Sequence, residues 1–478
     1  MKIPHSDQFI LKSDSRIQTY KDNPTYTGHP DALYFARDFR DVAEILKECN
    51  ERKLPVTFCG SRTSLTGSSA ANEGLVVSLE KKDRFLDLWT DSKTGETLAK
   101  AEPGILLGDF KKKIAEAGSF YPPDPTSYKE AQLGGTVATN ATGEDTFLYG
   151  PTRKYIRELK ILTSTGTEKI IKRARMPVIP SKNRAGYFLD GEEIDEMIGS
   201  EGTLGLITEV TTAVLPQRFD HFSLLIPFND FLASIEFVVR TVESTLRPRA
   251  LELIGPGAIE IFRTHPDVPQ FPKGTKSVIY LKQEFGKSDL SNKSDEWLKW
   301  IEKFYREKGH PDWSESIFFG ESEKQKDDIR AGRHHIPATV NEEARGWHES
   351  GGGKISTDWW VPIDKLLPMM KWVYTKSLKL PFLVFAHIGN GHPHWNFLTK
   401  NASEKKMIHD FVLEQCKRAV GYGGGVAGEH GLGKIHRDYL TIQHSKTTIA
   451  KMIDLKKKWD PNWILGRGNI LPPQGLWR

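Results

Sequence analysis

Cysteine is nearly missing from this chain: Cys49, Cys59 and Cys416 are the only three in 478 residues, and they are widely spaced. Three thiols cannot hold a four-thiolate iron–sulfur cluster or build a disulfide framework. Cys416, at helical spacing from Ile408, Val412 and Val420, reads as a core thiol. Long apolar runs are missing too. No stretch approaches the roughly 20 residues of a membrane-spanning helix, and residues 1–16 (MKIPHSDQFILKSDSR) lack the apolar centre of a secretory signal. A soluble protein of a reducing compartment is expected, cytoplasmic, with peripheral docking at a membrane left open. Charge blocks are also lacking. The net charge of +5 is spread along the chain, which supplies no basic arm for nucleic acid and suits a small anionic substrate.

What is present is a globular composition, 38% hydrophobic and 10% aromatic, in a chain too long for one comfortable core. In residues 1–216 short apolar runs (56–58, 75–77, 159–162, 204–215) alternate with the helical pattern of Val42, Ile45 and Leu46 and with glycine-rich segments. That texture predicts an α+β domain. Over residues 217–420 strand-like runs (223–228, 277–285, 316–320, 359–362, 381–388) alternate with helical patterns, which predicts β-α-β units on one antiparallel, ferredoxin-like sheet. Residues 421–478 open on Gly423-Gly424-Gly425 and continue as a helical tail.

PVTFCGSRTSLTGSS (55–69) is a strand running into small hydroxylated residues and two glycines. Such a loop can turn successive backbone N–H groups toward an anion. It is neither a P-loop, having no lysine after the second glycine, nor a G-x-G-x-x-G turn. A second segment, PPDPTSYKEAQLGGTVATNATG (122–143), is dense in Gly, Ala and Thr, and a third, GSEGTLGLITEV (199–210), has the same build. Residues this small let a backbone press against a large ligand.

These motifs together resemble the FAD-binding domain of the vanillyl-alcohol oxidase / p-cresol methylhydroxylase superfamily, within its D-lactate dehydrogenase, glycolate oxidase and D-2-hydroxyglutarate dehydrogenase branch. The resemblance covers nearly the whole chain. It implies a two-subdomain FAD-binding domain (1–216), a substrate cap domain (217–420) and a C-terminal segment returning to the FAD domain (421–478). Carried over by position, Gly60, Ser61, Arg62, Thr63, Ser64 and Gly67 form the pyrophosphate loop. Pro123, Asp124, Thr126, Gly134, Gly135, Thr139, Asn140 and Gly143 line the flavin and its ribityl chain, and Glu201, Gly202, Gly205 and Ile207 complete the site. KNRAGY (182–187) matches a further family segment. Arg62 stands where the family has glycine. No histidine lies between Pro55 and Gly67, so the FAD is expected to be non-covalent.

FAHIGNGHPHWNFL (385–398) places His387, His392 and His394 around a glycine turn. A lone strand histidine is more often a packed or surface residue than a ligand. If the turn sets His387 against His394 on adjacent strands, two imidazoles converge on one cation, one short of a catalytic zinc set. Glu429 and His430 in GGGVAGEHGLGK (423–434), displayed among glycines ahead of an apparent helix, offer the missing donor. Both stretches resemble the same family. The resemblance implies His387, His394 and Glu429 as ligands of a divalent metal, zinc first, with His430 as general base and Asn396 as a substrate contact. It also implies Arg333 as the carboxylate-binding arginine, with Arg330 one turn earlier, and Lys354 as a further site residue. His392 takes the place of a family asparagine and is expected in an outer shell or facing solvent; His334 and His335 read as a polar helix face. In residues 465–469 (LGRGN) Arg467 replaces the proline of the family's closing turn.

The implied activity is FAD-dependent oxidation of a small D-2-hydroxy acid to the 2-oxo acid. Quinone, an electron-transfer flavoprotein and cytochrome stand as alternative electron acceptors, and a homodimer is compatible with the family. Two rivals stand beside it: a non-redox flavoenzyme of the alkyldihydroxyacetone-phosphate synthase type, and a non-catalytic flavin-binding subunit of an oxidase complex.

Overall fold

The computed structural model describes residues 9–23, 25–175, 182–217, 220–286 and 289–473; the first eight residues of the stretch 1–16 considered above lie outside them. The chain forms two compact units, one of residues 1–142, 150–217 and 429–478, the other of residues 143–149 and 218–428. This division is less sequential than the three consecutive segments expected. A seven-residue insert crosses to the second unit, and the return to the first falls at 429 rather than 421.

In the first unit, helix Phe39–Arg52 starts where the Asp38 side chain accepts from the Arg40 N–H and stops at Lys53 in the left-handed region. Its buried stripe of Val42, Ile45, Leu46 and Cys49 packs with Tyr34, Val56, Leu75 and Val77. Fully burying one such aliphatic side chain is worth about 1.5–3 kcal/mol. Strands Ala32–Phe35, Leu75–Ser78 and Val56–Cys59 run parallel, and Phe9–Leu11 adds an antiparallel edge. The tail joins here because it extends the sheet: the Val56 N–H donates to Ile464 O at 2.7 Å, and the Gly466 N–H donates to Val56 O at 2.8 Å. The second sheet is antiparallel and ordered Glu168–Lys172, Ile156–Leu162, Leu206–Pro216, Thr97–Ala101, Phe85–Thr90.

The second unit is built on a seven-stranded sheet ordered Phe318–Gly320, His221–Phe228, Ser277–Glu284, Ala250–Ile254, Phe382–His387, His392–Asn401, Gly351–Ser356. Every pairing in it is antiparallel. The helices it carries include Phe231–Glu243, Leu290–Lys308, Glu323–Arg345, Ile363–Ser377 and Ala402–Gly421, as the β-α-β alternation predicts. Residues 359–362 do not form the expected strand. Trp360 makes one isolated bridge to Gly425, and Pro362, which has no N–H to give a ladder, caps the next helix. The tail likewise holds less helix than its pattern suggested: after Glu429 and His430 the chain turns without regular structure until Arg437. Among the described residues no helix is long and apolar enough to cross a membrane.

Candidate functional site

The strand Val56–Cys59 delivers the chain into the loop of Gly60, Ser61, Arg62, Thr63, Ser64 and Gly67. None of the backbone N–H groups of residues 60–65 donates to another group among the described residues. The loop's hydroxyls bond to one another, Ser64 Oγ lying 3.1 Å from Thr66 Oγ1 and 2.9 Å from Ser68 Oγ. A row of unengaged amides on a half-buried loop is what an anionic phosphate group needs. Arg62 adopts the left-handed conformation that favours glycine (φ 61°), at a steric cost of about 1–2 kcal/mol. Its guanidinium lies 4.2 Å over the Tyr20 ring, so its side chain is held by stacking. Gly67 (φ 73°) has no room for a side chain, since a Cβ there would meet the Tyr26 ring at 2.8 Å. Burial pushes the Cys59 thiol up to about 12, which keeps it inert.

The first unit also holds buried polar atoms without hydrogen-bond partners among the described residues: Gln132 Oε1, Thr142 Oγ1 and the Tyr121 hydroxyl. Gln132 Oε1 sits 2.8 Å from where a Cβ of Gly60 would be. Buried orphans of this kind are rare unless a ligand or water meets them. Gly134 presses on Pro103, whereas Gly135 faces open space. Asn140 (φ 49°) receives the Arg153 N–H on its Oδ1 at 2.9 Å and Arg184 Nε on its carbonyl at 3.1 Å. The Thr139 hydroxyl donates to Gly135 O at 3.0 Å. Lys111 pairs with Asp124 and also donates to Pro123 O, each at 2.9 Å, beside Thr126. Gly205 immediately precedes the long central strand of the second sheet, Leu206–Pro216, in which Ile207 pairs with Ile161.

Glu201 anchors the segment that follows His430. It is buried, and its two oxygens accept the N–H groups of Leu432 at 2.9 Å and Gly433 at 2.8 Å. Burial pushes its carboxyl up to about 7, against the pull of those two donors. A Cβ on Gly431 would fall 2.4 Å from Glu201 Oε1, so the glycines after Glu429 and His430 are spacers that let Glu201 clamp the segment. Asn469 completes the stitching. Its amide donates to Ser68 O at 2.8 Å and Glu201 O at 3.1 Å, and its Oδ1 accepts from Lys434 at 2.6 Å.

In the second unit, register corrects the histidine hairpin. His387 lies opposite His392, and His394 lies opposite Phe385, because the turn closes within residues 388–391, ahead of Pro393. His392 is fully buried rather than solvent-facing, with its Nε2 3.0 Å from Asp358 Oδ1. All three imidazoles nonetheless gather, with ring centres 4.5 Å (His392–His394), 5.7 Å (His387–His394) and 5.9 Å (His387–His392) apart. His387 Nδ1 lies 2.8 Å from Glu252 Oε1, and His394 Nδ1 lies 3.2 Å from the Thr357 carbonyl. Each candidate ligand meets an oxygen through Nδ1, and metal-binding histidines are commonly supported in this way. Asn396 is buried, and its amide donates to His394 O at 3.0 Å.

Arg333 reaches the same place from helix Glu323–Arg345. It hydrogen-bonds Glu252 through Nη2 and sits 3.5 Å from Glu144 through Nε. Burial opposes its charge, but the two carboxylates outweigh burial and raise its pKa. Glu144 comes from the 143–149 insert and pairs with Lys282 at 2.7 Å. Its neighbour Asp145 meets Lys282 at 3.2 Å and also Arg249. Burial opposes ionisation of Glu144, yet Lys282, Arg333 and Arg330 hold it below its ordinary range. Gly143, expected at the flavin, donates its N–H to Thr146 Oγ1 at 2.8 Å at the head of this insert. Lys354 donates to Asn341 Oδ1, and burial lowers its pKa to about 8. His335 lies between Thr264 and Thr339 on its helix face, 3.3 Å from each hydroxyl.

Comparison with known proteins meets these two halves in turn. Residues 30–171 match the FAD binding domain family, and residues 221–470 match the C-terminal domain of FAD linked oxidases. The chain belongs to the FAD-linked oxidases. This oxidase is 32% identical over 454 residues to a D-lactate dehydrogenase of Anaerostipes hadrus, covering 93% of this chain and 90% of that one. It is 26% identical over 464 residues to the glycolate oxidase subunit GlcD of Bacillus subtilis, covering 95% and 92%. With a D-2-hydroxyglutarate dehydrogenase of Stutzerimonas stutzeri it shares 27% identity over 453 residues, covering 92% and 91%. Among solved structures an alkyldihydroxyacetonephosphate synthase has the same fold, with a TM-score of 0.67 at 16% identity over 99% of this chain and 83% of that one.

Sequence reading of this FAD-linked oxidase missed Glu252, Glu144, Lys282 and Asn469. Glu252 sits in an apolar strand, Ala250–Ile254, all of whose residues are buried. A carboxylate inside such a run is the one signal that could have marked it, since buried charges need partners.

Proposed function

We propose that this oxidase converts a small D-2-hydroxy acid, of the D-lactate or D-2-hydroxyglutarate type, into the 2-oxo acid. The single observation that carries the reading is the pair His387 and His394, each held through Nδ1 by an acceptor, beside the buried Arg333. Non-covalently bound FAD supplies the acceptor for the C2 hydride, and a divalent cation, zinc first, held by His387, His394 and Glu429, supplies polarisation of the substrate hydroxyl.

The chain's own residues divide the remaining work. His430 accepts the hydroxyl proton as the general base. Arg333 offers the N–H groups that Glu252 does not use to the substrate carboxylate. Asn396 orients the substrate from the buried strand. Lys354, with its pKa lowered to about 8 by burial, adds a cation close to its switching point. The amides of residues 60–65 hold the pyrophosphate of FAD. Identity to three relatives that act on hydroxy acids supports the substrate class, and the alkyldihydroxyacetonephosphate synthase likeness bears on the fold alone.

Anaerobic mixing with D-lactate or D-2-hydroxyglutarate is expected to bleach the flavin, and chelator treatment to slow the bleaching. Glu429→Gln and His430→Ala are expected to keep FAD and lose reduction by at least about a hundredfold. Bleaching by neither acid, or full activity in either variant, overturns the reading. FAD is expected in the supernatant after acid precipitation.

A further inference from the structure

Glu252 lies at the middle of the second unit's sheet, on strand Ala250–Ile254, paired across to Tyr280. Nothing in its strand neighbours calls for a charge there: Leu251, Leu253 and Ile254 are fully buried. The carboxylate spends one oxygen on each of two side chains. Oε1 meets His387 Nδ1 at 2.8 Å, and Oε2 accepts from Arg333 Nη2. A carboxylate can only accept, so His387 carries its proton on Nδ1, the arrangement by which an outer carboxylate fixes the tautomer of a metal-binding histidine. An apolar residue in place of Glu252 would leave the ring without that anchor and Arg333 with Glu144 alone at 3.5 Å.

We infer that Glu252 is a positioning residue that ties the cation-binding histidine to the carboxylate-binding arginine: it fixes the tautomer and orientation of His387 while neutralising Arg333. The inference rests on the proposed reading, in which His387 ligates a divalent metal. Its consequence is that cation affinity depends on a residue that touches neither the cation nor the substrate. A carboxylate kept only to stabilise a buried arginine has no such effect.

The test uses flavin-loaded enzyme stripped of metal with a chelator and titrated with zinc against a chromophoric competitor. Glu252→Gln is expected to retain FAD and bind zinc about 10- to 100-fold more weakly, the range for losing such a support. In a His387→Gln background the same change is expected to add less than about twofold, because Glu252 acts through that ring. Equal zinc affinity in Glu252→Gln and the parent, or full additivity with His387→Gln, overturns the inference while leaving the metal reading intact. A parent enzyme that binds no zinc overturns both. The unaltered protein supplies a measurement that needs no variant to fold. In metal-stripped, 15N-histidine-labelled enzyme the signal assigned to His387 by its loss in His387→Gln is expected to show the Nδ1–H tautomer, and an Nε2–H signal overturns the inference.

Discussion

The loop of residues 60–65 and the cluster around Glu252 prepare for ligands by opposite means. In the loop the available groups are backbone amides, the one charged side chain, Arg62, is stacked on Tyr20, and among the described residues it makes no ion pair. Around Glu252 the groups are paired side chains, all buried except the half-buried Arg249: Glu252 with His387 and Arg333, Glu144 with Lys282, Asp145 with Arg249 and Lys282. A backbone site depends on conformation and tolerates exchange of side chains that do not intrude. A paired-charge site loses a partner with every single exchange and leaves a buried charge behind.

The largest effect therefore belongs to the charge cluster. Lys282→Met leaves Glu144 and Asp145 short of a cation in a buried site, and a loss of about 3–5 kcal/mol is expected. Calorimetry should record this as a midpoint roughly 10 °C lower; an unchanged midpoint would erase the contrast between the two regions.

Next comes the clamp of the first unit, where one buried carboxyl serves two backbone donors. The folded-state pKa of Glu201 is raised from 4.5 to about 7, so the folded state holds the proton more tightly than the unfolded chain. Its contribution is fully present below pH 4.5 and is lost as pH rises through 7, a change of about 3 kcal/mol for a shift of this size. Denaturation midpoints measured from pH 4.5 to 8 should fall less steeply in Glu201→Gln than in the parent. Parallel curves would mean that the carboxylate stays ionised throughout.

The smallest effect is predicted where the loop carries its one odd side chain. Arg62→Gly relieves a left-handed non-glycine residue worth about 1–2 kcal/mol and gives up a cation–π contact of about 0.5–1 kcal/mol. A stability change within about 1 kcal/mol and FAD affinity within about twofold are expected. A tenfold loss of FAD in fluorescence titration would place Arg62 on the pyrophosphate and make the loop a side-chain site after all.

Much of the first region was legible because its requirements are local. Gly60, Gly67, Gly134 and Gly135 mark places where a side chain would collide or where space must stay open, and composition records that directly. The antiparallel sheet of the second unit was legible from the alternation of strand and helix patterns. Register was not. A shift in where the hairpin closes set His387 against His392 and turned the odd histidine inward. The 143–149 insert was equally hidden, since its glutamate and aspartate look like an ordinary polar loop until Lys282, Arg249 and Arg333 surround them.

By itself the sequence determined the small-residue loops, the strand–helix alternation and the residue types able to handle FAD and a cation, all properties of short stretches read in order. Only the tertiary structure decided that Glu252 joins His387 to Arg333, that Glu201 clamps the residues after His430, and that Arg62 stacks on Tyr20. Those pairings join residues distant in sequence, and a buried charge takes its role from the partner the fold places against it.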